Sequence, residues 1–179
     1  LLICMVVLLG GCAIALPINE RLSYQYEDRA ASLKVSDIEA IAIRWIPEDF
    51  TSRIDIQGAS GFVGGGSRTR VPTGIALSNR IRNVLKEAIG IDRNSSSVLT
   101  ITVIDAKSKF KYGFASSELT YGESYLKAKF EINGKTWEEE FISKVDSSVV
   151  APTFGYRLEH AWDEVSLLVG KSVVNHLLK

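Results

Sequence analysis

The sequence predicts an α+β fold, a two-layer sandwich in which an antiparallel or mixed sheet of four to five strands carries two helices packed on one face. Two segments, over residues 73–89 and 154–177, have apolar residues at helical spacing. Five other segments alternate between polar and apolar residues or are rich in β-branched and aromatic ones, as strands are. Because each element has one apolar face, packing both helices against one side of the sheet buries these faces together.

The first half of the predicted domain contains two strands and a helix. Residues 38–46 are rich in β-branched residues and stop at Pro47, and residues 53–57 alternate with period two. A glycine-rich stretch follows over residues 58–66. The amphipathic segment after it predicts a helix that ends just before Gly90, a residue typical of the position past a helix C-terminus.

The second half contains three strands and a long helix. Residues 97–104 have a strong strand pattern, and the apolar parity switches near Asp105-Ala106, which predicts a bulge or a bend. Asn133-Gly134 predicts a type I′ hairpin, because both residues tolerate the positive φ that this turn needs. The last helix is expected over residues 154–177, with Thr153 as its N-cap.

The two-residue turn fixes the register of the predicted hairpin. It places Glu139 opposite Ala128 on an apolar face. On the other face it pairs lysines with glutamates, namely Lys129 with Glu138 and Lys127 with Glu140. Since Glu139 points to the apolar face, we expect it on an edge strand or at the rim of a groove, and we consider it a candidate ligand-binding residue. Burial would raise the pKa of its carboxyl group by desolvation.

The N-terminal segment indicates export. Residues 1–11 are uncharged and apolar and end in small residues, which is the pattern of a secretory signal peptide. The whole apolar run is about 16 residues long, shorter than the roughly 20 that a membrane-spanning helix needs. We therefore expect residues 1–11 to be a signal peptide of lipoprotein type, residues 12–35 to be a lipidated cysteine and tether, and residues 36–179 to form a single globular domain. An ordinary cleaved signal peptide is the alternative.

Composition excludes several classes of function. The 21 basic and 21 acidic residues balance, and no polybasic block points to nucleic acid as a partner. Both histidines, His160 and His176, lie on the last predicted helix, between four and five turns apart, so they do not share a site. We expect His160 on a solvated flank and His176 near a frayed C-terminus. The sequence thus predicts no metal, no cofactor and no enzymatic activity.

Two further segments are candidates for binding. The glycine-rich stretch lacks the spacing of a Walker A loop or a dinucleotide fingerprint, but Arg68 and Arg70 follow it and are candidate anion-binding residues. Aromatic residues also cluster in the segment between two strands. Either they pack in the core and hairpin, or they form an exposed patch that meets a partner. They are Phe110, Tyr112, Phe114, Tyr121 and Tyr125.

The segment Leu9-Gly10-Gly11-Cys12 resembles the lipobox of bacterial lipoproteins. That resemblance implies that Cys12 is acylated, with palmitate among the acyl chains, and becomes the mature N-terminus. Ala13, which follows it, implies sorting to the outer membrane. The order of lipobox, tether, early strand, basic helix over residues 77–85, strand over residues 98–104, hairpin and long final helix is similar to that of YajG-like lipoproteins of Gram-negative bacteria. It is also similar to that of the lipopolysaccharide-assembly lipoprotein. Neither resemblance carries site residues to this chain.

The sequence therefore predicts a non-enzymatic envelope lipoprotein. It would be held in the outer membrane by lipid on Cys12, with its domain in the periplasm, and would act as an accessory or binding partner of another envelope component, most simply a protein. The alternative is a periplasmic module that holds a lipid or a glycan between the sheet and the helices. Glu139 and the aromatic segment support this alternative.

Overall fold

The computed structural model describes residues 14–15, 19–52, 55–58, 69–111, 121–146 and 154–179. The strands in this part of the chain are β1 (Ile14–Ala15), β2 (Ala42–Ile46), β3 (Asp55–Gly58), β4 (Thr69–Pro72), β5 (Val98–Lys111), β6 (Tyr121–Ile132) and β7 (Lys135–Asp146). The α-helices are α1 (Tyr24–Ala31), α2 (Thr73–Ala88) and α3 (Phe154–Leu177), and a short 3-10 helix covers Glu48–Thr51.

The main sheet has four strands in the order β2-β5-β6-β7. β2 is parallel to β5, and the other neighbours are antiparallel, so the sheet is mixed. α2 and α3 pack together, and α3 crosses β5, β6 and β7 on one face of the sheet. This arrangement confirms the predicted α+β two-layer fold. A smaller sheet, in the order β1-β4-β3, lies beside it, and β3 contacts β5.

The β6–β7 hairpin has the predicted register. Asn133 and Gly134 have φ of 49° and 77°, the left-handed conformation that a type I′ turn requires. Ala128 is opposite Glu139. Lys127 is opposite Glu140 and Lys129 is opposite Glu138, as predicted. The Nζ atom of Lys127 lies 3.2 Å from Glu138 and 3.0 Å from Glu140, so one lysine contacts both carboxylates.

β5 extends farther than expected, to Lys111, and has its bulge between Val103 and Asp105, at the predicted change of parity. The bulge lets the strand continue while its apolar side chains stay on the covered face. Trp162 of α3 is fully buried against this strand, and its Nε1 donates to Oγ of Ser108 at 2.8 Å. The apolar residues predicted for α3 form the centre of the core, and they are Leu158, Trp162, Val165, Val169 and Val173.

The tether interpretation is wrong for residues 19–35, the described part of that segment. Residues 24–31 form helix α1, which packs on α2 and α3. Leu22, Tyr26 and Ala30, spaced by four, are buried against Val84 and Leu167. An apolar stripe of three residues is too short to stand out from polar neighbours, and α1 is therefore stabilised by tertiary contacts rather than by its own periodicity.

Candidate functional site

The predicted candidate Glu139 lies at a groove between the edge strand β7 and helix α3. The groove has a volume of about 330 Å³. Its walls are Glu139, Glu140, Phe141 and Ile142 of β7 and Leu168, Lys171, Ser172 and Asn175 of α3. The expectation that Glu139 occupies an edge strand and a groove rim is thus confirmed, while a role in binding a ligand stays a prediction.

Polar contacts hold Glu139 partly buried. Its neighbour across the hairpin is Ala128, whose small side chain leaves room for the carboxylate on the covered face. Ser172 of α3 donates its hydroxyl to Oε2 of Glu139. The same hydroxyl oxygen accepts a hydrogen bond from Nε1 of Trp137 at 3.3 Å. A carboxylate that would be costly among apolar groups is therefore satisfied by the helix it faces.

An aromatic stack fixes the position of α3 against β7. The Trp137 ring lies between Phe130, at 5.2 Å and 14°, and His176, at 4.2 Å and 5°. Nδ1 of His176 is 2.9 Å from the backbone oxygen of Ser172. The expectation of a frayed end at His176 is wrong, since the stack holds this turn on the hairpin. The groove consequently has one wall of β-strand and one of well-anchored helix.

The exposed part of the groove combines apolar surface with a free strand edge. Leu168 of α3 is 36% exposed beside Lys171 and the buried Phe141, while Ile142, 61% exposed, points to the other face of β7 at the same edge. β7 is the last strand in the sheet order and pairs with β6 alone among the described strands. Its outer backbone groups can thus accept a further strand, and the apolar positions can accept that strand's side chains.

A second feature, which the sequence analysis missed, is a buried ion pair between the helices. Nε of Arg80 lies 2.7 Å from Oδ1 of Asp163, and both side chains are completely buried. Arg80 also donates to the backbone oxygens of Ala76 at 3.3 Å and Asn19 at 2.6 Å, and Ser23 donates to Oδ2 of Asp163. These bonds satisfy a charged pair in the interior and attach the segment before α1 to α2 and α3.

Burial dominates the electrostatics of this cluster. It raises the pKa of Asp163, although Arg80 and Ser23 oppose the shift. It lowers the pKa of the neighbouring His160, which is 6% exposed and touches Tyr26 and Tyr156. It also raises the pKa of Tyr26 to about 12. The predicted solvated flank for His160 is therefore wrong, because α1 covers this side of α3.

The cluster contains serine, histidine and aspartate, but not in a catalytic arrangement. In a triad the histidine bridges the serine and the aspartate. Here Ser23 donates to Asp163 directly, and His160 is instead within 3.3 Å of the Tyr26 hydroxyl. Asp163 is engaged by Arg80 on its other oxygen. The geometry serves to attach α1, and we assign it no chemistry.

A larger cavity, of about 640 Å³, opens between α1 and α2. It is lined by acidic and basic side chains in nearly equal number: Glu20, Glu27, Asp28, Glu87, Arg21, Arg82 and Lys86. With opposite charges this close together, the cavity favours neither an anion nor a cation.

The remaining predicted sites lie mainly outside the described residues. Cys12 and Arg68 are among these, and so are Tyr112 and Phe114 of the aromatic segment. The backbone of Arg70 belongs to β4, where it pairs with Ala15 and Gln57. Within the described ranges, no group of three or more metal-ligating side chains comes together. The helices of these ranges include none that is long and apolar enough to cross a bilayer.

The space between the sheet and the helices, where a lipid or glycan was the alternative expectation, is occupied by side chains. Leu126, Ala128 and Phe130 of β6 meet Trp162 and Val165 of α3 there, each with no exposed surface. A ligand of this domain is better accommodated at the surface, in the β7–α3 groove.

No model of a protein family matches the chain, and no curated protein matches it. Among solved structures, the chain is similar to a minor lipoprotein from Acinetobacter baumannii, with 5% identity, a TM-score of 0.47, and coverage of 78% of this chain and 92% of that one. It is also similar to a protein from Xanthomonas campestris, with 15% identity, a TM-score of 0.44, and coverage of 93% and 95%.

Proposed function

We propose that the chain is an exported lipoprotein of the outer membrane, anchored by acyl chains on Cys12, whose periplasmic domain acts without catalysis as a binding partner of another envelope component. The sequence Leu9-Gly10-Gly11-Cys12 after an apolar run supports the anchor. The open edge of β7 beside an apolar groove is the observation that carries the binding role.

The groove favours an extended segment of a partner protein. A strand added to the edge of β7 would gain backbone hydrogen bonds along residues 135–146. Successive side chains of that strand would lie on opposite faces of the sheet, so those on the α3 side would meet Leu168 and those on the other side would meet Ile142. Glu140 and Lys171 would supply charge selectivity at its margins. Such binding by strand addition needs neither a cofactor nor a reacting group.

Photo-crosslinking in intact cells tests the binding role. A photoreactive residue replaces Ile142 on β7, and the matched control replaces Ile46 on β2, the opposite edge strand, where the side chain is 44% exposed. We expect a discrete adduct with one envelope protein from position 142 and none from position 46. Equal adducts from both positions, or none from position 142 at any protein level, would refute the groove as the binding surface.

The anchor has an independent test. Cys12→Ser removes the thiol that accepts the acyl chains, so the variant should leave the membrane fraction and be recovered in the soluble periplasm. Mass spectrometry of the wild-type N-terminal peptide should show acylated Cys12. Continued membrane fractionation of the variant, or an unmodified N-terminal peptide in the wild type, would contradict the lipoprotein assignment.

A further inference from the structure

The face of the main sheet opposite α3 has a cluster of tyrosine and lysine side chains at one end. Tyr121 and Tyr125 of β6 lie here, both partly exposed. Nζ of Lys144 is 4.1 Å from the centre of the Tyr121 ring, and that of Lys109 is 5.8 Å from it. Nζ of Lys107 is 5.7 Å from the centre of the Tyr125 ring. We call these five residues the tyrosine–lysine patch.

The patch has balanced charge and an apolar component. Asp105 pairs with Lys107, and Glu123 lies between Lys109 and Lys144 in the same row of the sheet. Asp146 is opposite Tyr121. The hydrogen bond with Tyr121 raises the pKa of Lys109, which therefore stays charged at neutral pH. A surface with both charges and tyrosine rings matches the mixed chemistry of zwitterionic headgroups and glycerol.

The same end of the domain receives the start of the chain. β1 pairs with β4 through Ile14 and Thr69, and β4 leads directly into α2. At the first residue of α2, Thr73 donates its hydroxyl to Ser108 at 2.7 Å. Ser108 stands in β5 between Lys107 and Lys109 of the patch, with its side chain on the opposite face. The backbone amide of Asn19 also donates to Glu159 near the start of α3. This second contact likewise holds the N-terminal segment at this end of the domain.

The distance from the lipid anchor to this end is short. Ile14 is two residues after Cys12, and two residues span at most about 7 Å. Acyl chains on Cys12 would therefore hold the β1 end of the domain at the membrane surface. The hairpin turn lies at the far end of β6 and β7. The eight residues from Glu123 to Glu131 along β6 correspond to about 26 Å.

We propose that the tyrosine–lysine patch lies in the headgroup layer of a zwitterionic phospholipid bilayer and fixes the orientation of the anchored domain. The inference rests on the lipid anchor proposed above. Tyrosine rings favour the bilayer interface, and lysines can extend their amines toward phosphates while their stems remain among lipid. The hairpin end and the β7–α3 groove near Asn175 then point away from the membrane, toward a partner.

Depth-dependent fluorescence quenching tests the orientation with the full lipidated protein. With the proposed anchor, Cys12 is acylated and Cys4 is removed with the leader, so a single engineered cysteine can be labelled selectively. Glu123→Cys lies within the patch, and Glu131→Cys is its matched control on the same strand and the same face. Each protein, labelled with an environment-sensitive dye, is reconstituted into phosphatidylethanolamine–phosphatidylcholine vesicles that contain a headgroup-nitroxide lipid.

We expect at least threefold stronger quenching at position 123 than at position 131. Tyr121→Ser with Tyr125→Ser should remove that difference while the protein stays on the vesicles. If these substitutions prevent folding, Lys109→Gln with Lys144→Gln offers a milder variant with the same expected direction. Equal quenching at both positions, or stronger quenching at position 131, would overturn the proposal. A protein that fails to float with the vesicles would instead refute the lipid anchor itself.

Discussion

Removing the carboxylate of Asp163 gives the sharpest test of how the domain is held together. Asp163→Ala leaves the Arg80 guanidinium completely buried, with two backbone oxygens as its remaining described hydrogen-bond acceptors. It also removes the acceptor of the Ser23 hydroxyl. Breaking one partner of a buried pair typically costs about 3–5 kcal/mol, because an uncompensated charge stays in the interior. We expect a loss of that size in the free energy of unfolding.

The neighbouring residue supplies a matched control. Glu164 forms an ion pair with Arg29 at 2.7 Å, but the two side chains are 31% and 52% exposed. An exposed pair of this kind contributes about 1 kcal/mol or less. Glu164→Ala should therefore be nearly neutral, although it lies on the same helix and also contacts α1.

The double variant Arg80→Met with Asp163→Leu separates the cost of an unpaired charge from the value of the pair. Replacing both charged groups by apolar ones of similar size removes the desolvation penalty. The double variant should therefore have a higher free energy of unfolding than Asp163→Ala alone. Urea unfolding followed by tryptophan fluorescence gives these free energies, with the slope reporting whether α1 separates first. A cost for Asp163→Ala no larger than that for Glu164→Ala would refute the reasoning.

Other perturbations follow from the same packing. Trp162→Ala removes a fully buried ring and its bond to Ser108, so urea unfolding should show a loss of about 3–5 kcal/mol, whereas a loss below about 1 kcal/mol would mean that the helix is misplaced. Gly122→Ala places a Cβ 2.7 Å from the backbone carbon of Arg157, and a melting curve should show destabilisation of about 1–3 kcal/mol. Burial lowers the pKa of His160 below 6.5, so the unfolded chain binds that proton at higher pH than the native protein does. Stability should accordingly fall as the pH drops below 6.5, and His160→Gln should lessen that fall; unchanged urea midpoints between pH 7.5 and 5.5 would contradict it.

The hairpin was predictable from sequence because its determinants are local. Asn133-Gly134 sets the turn, and period-two alternation then fixes every opposing pair, including the position of Glu139 opposite Ala128. The long α3 was predictable for a similar reason, since seven apolar residues at helical spacing leave little ambiguity. The groove at Glu139 was not predictable from sequence, because its second wall depends on where α3 packs against the sheet.

The N-terminal segment could not be recognised from local pattern. Arg80 looks like a solvated residue on a polar helix face, and only the three-dimensional position of Asp163, 83 residues later, makes it an interior group. α1 is a short helix that needs this pair, together with Leu22 and Tyr26, to find its place. Residues whose environment is created by distant parts of the chain carry little local signal.

The contacts of Asn19 and Ser23 with helix α3 have a consequence for biosynthesis. Asn19 binds Glu159 and Ser23 binds Asp163, each across 140 residues of sequence. During synthesis from the N-terminus, α1 therefore emerges long before the helix that receives it. The local hairpin can form from its own residues, but closure of the N-terminal segment must await α3. A chain truncated before Asp163 would consequently be exposed to proteases at α1, far from the site of truncation.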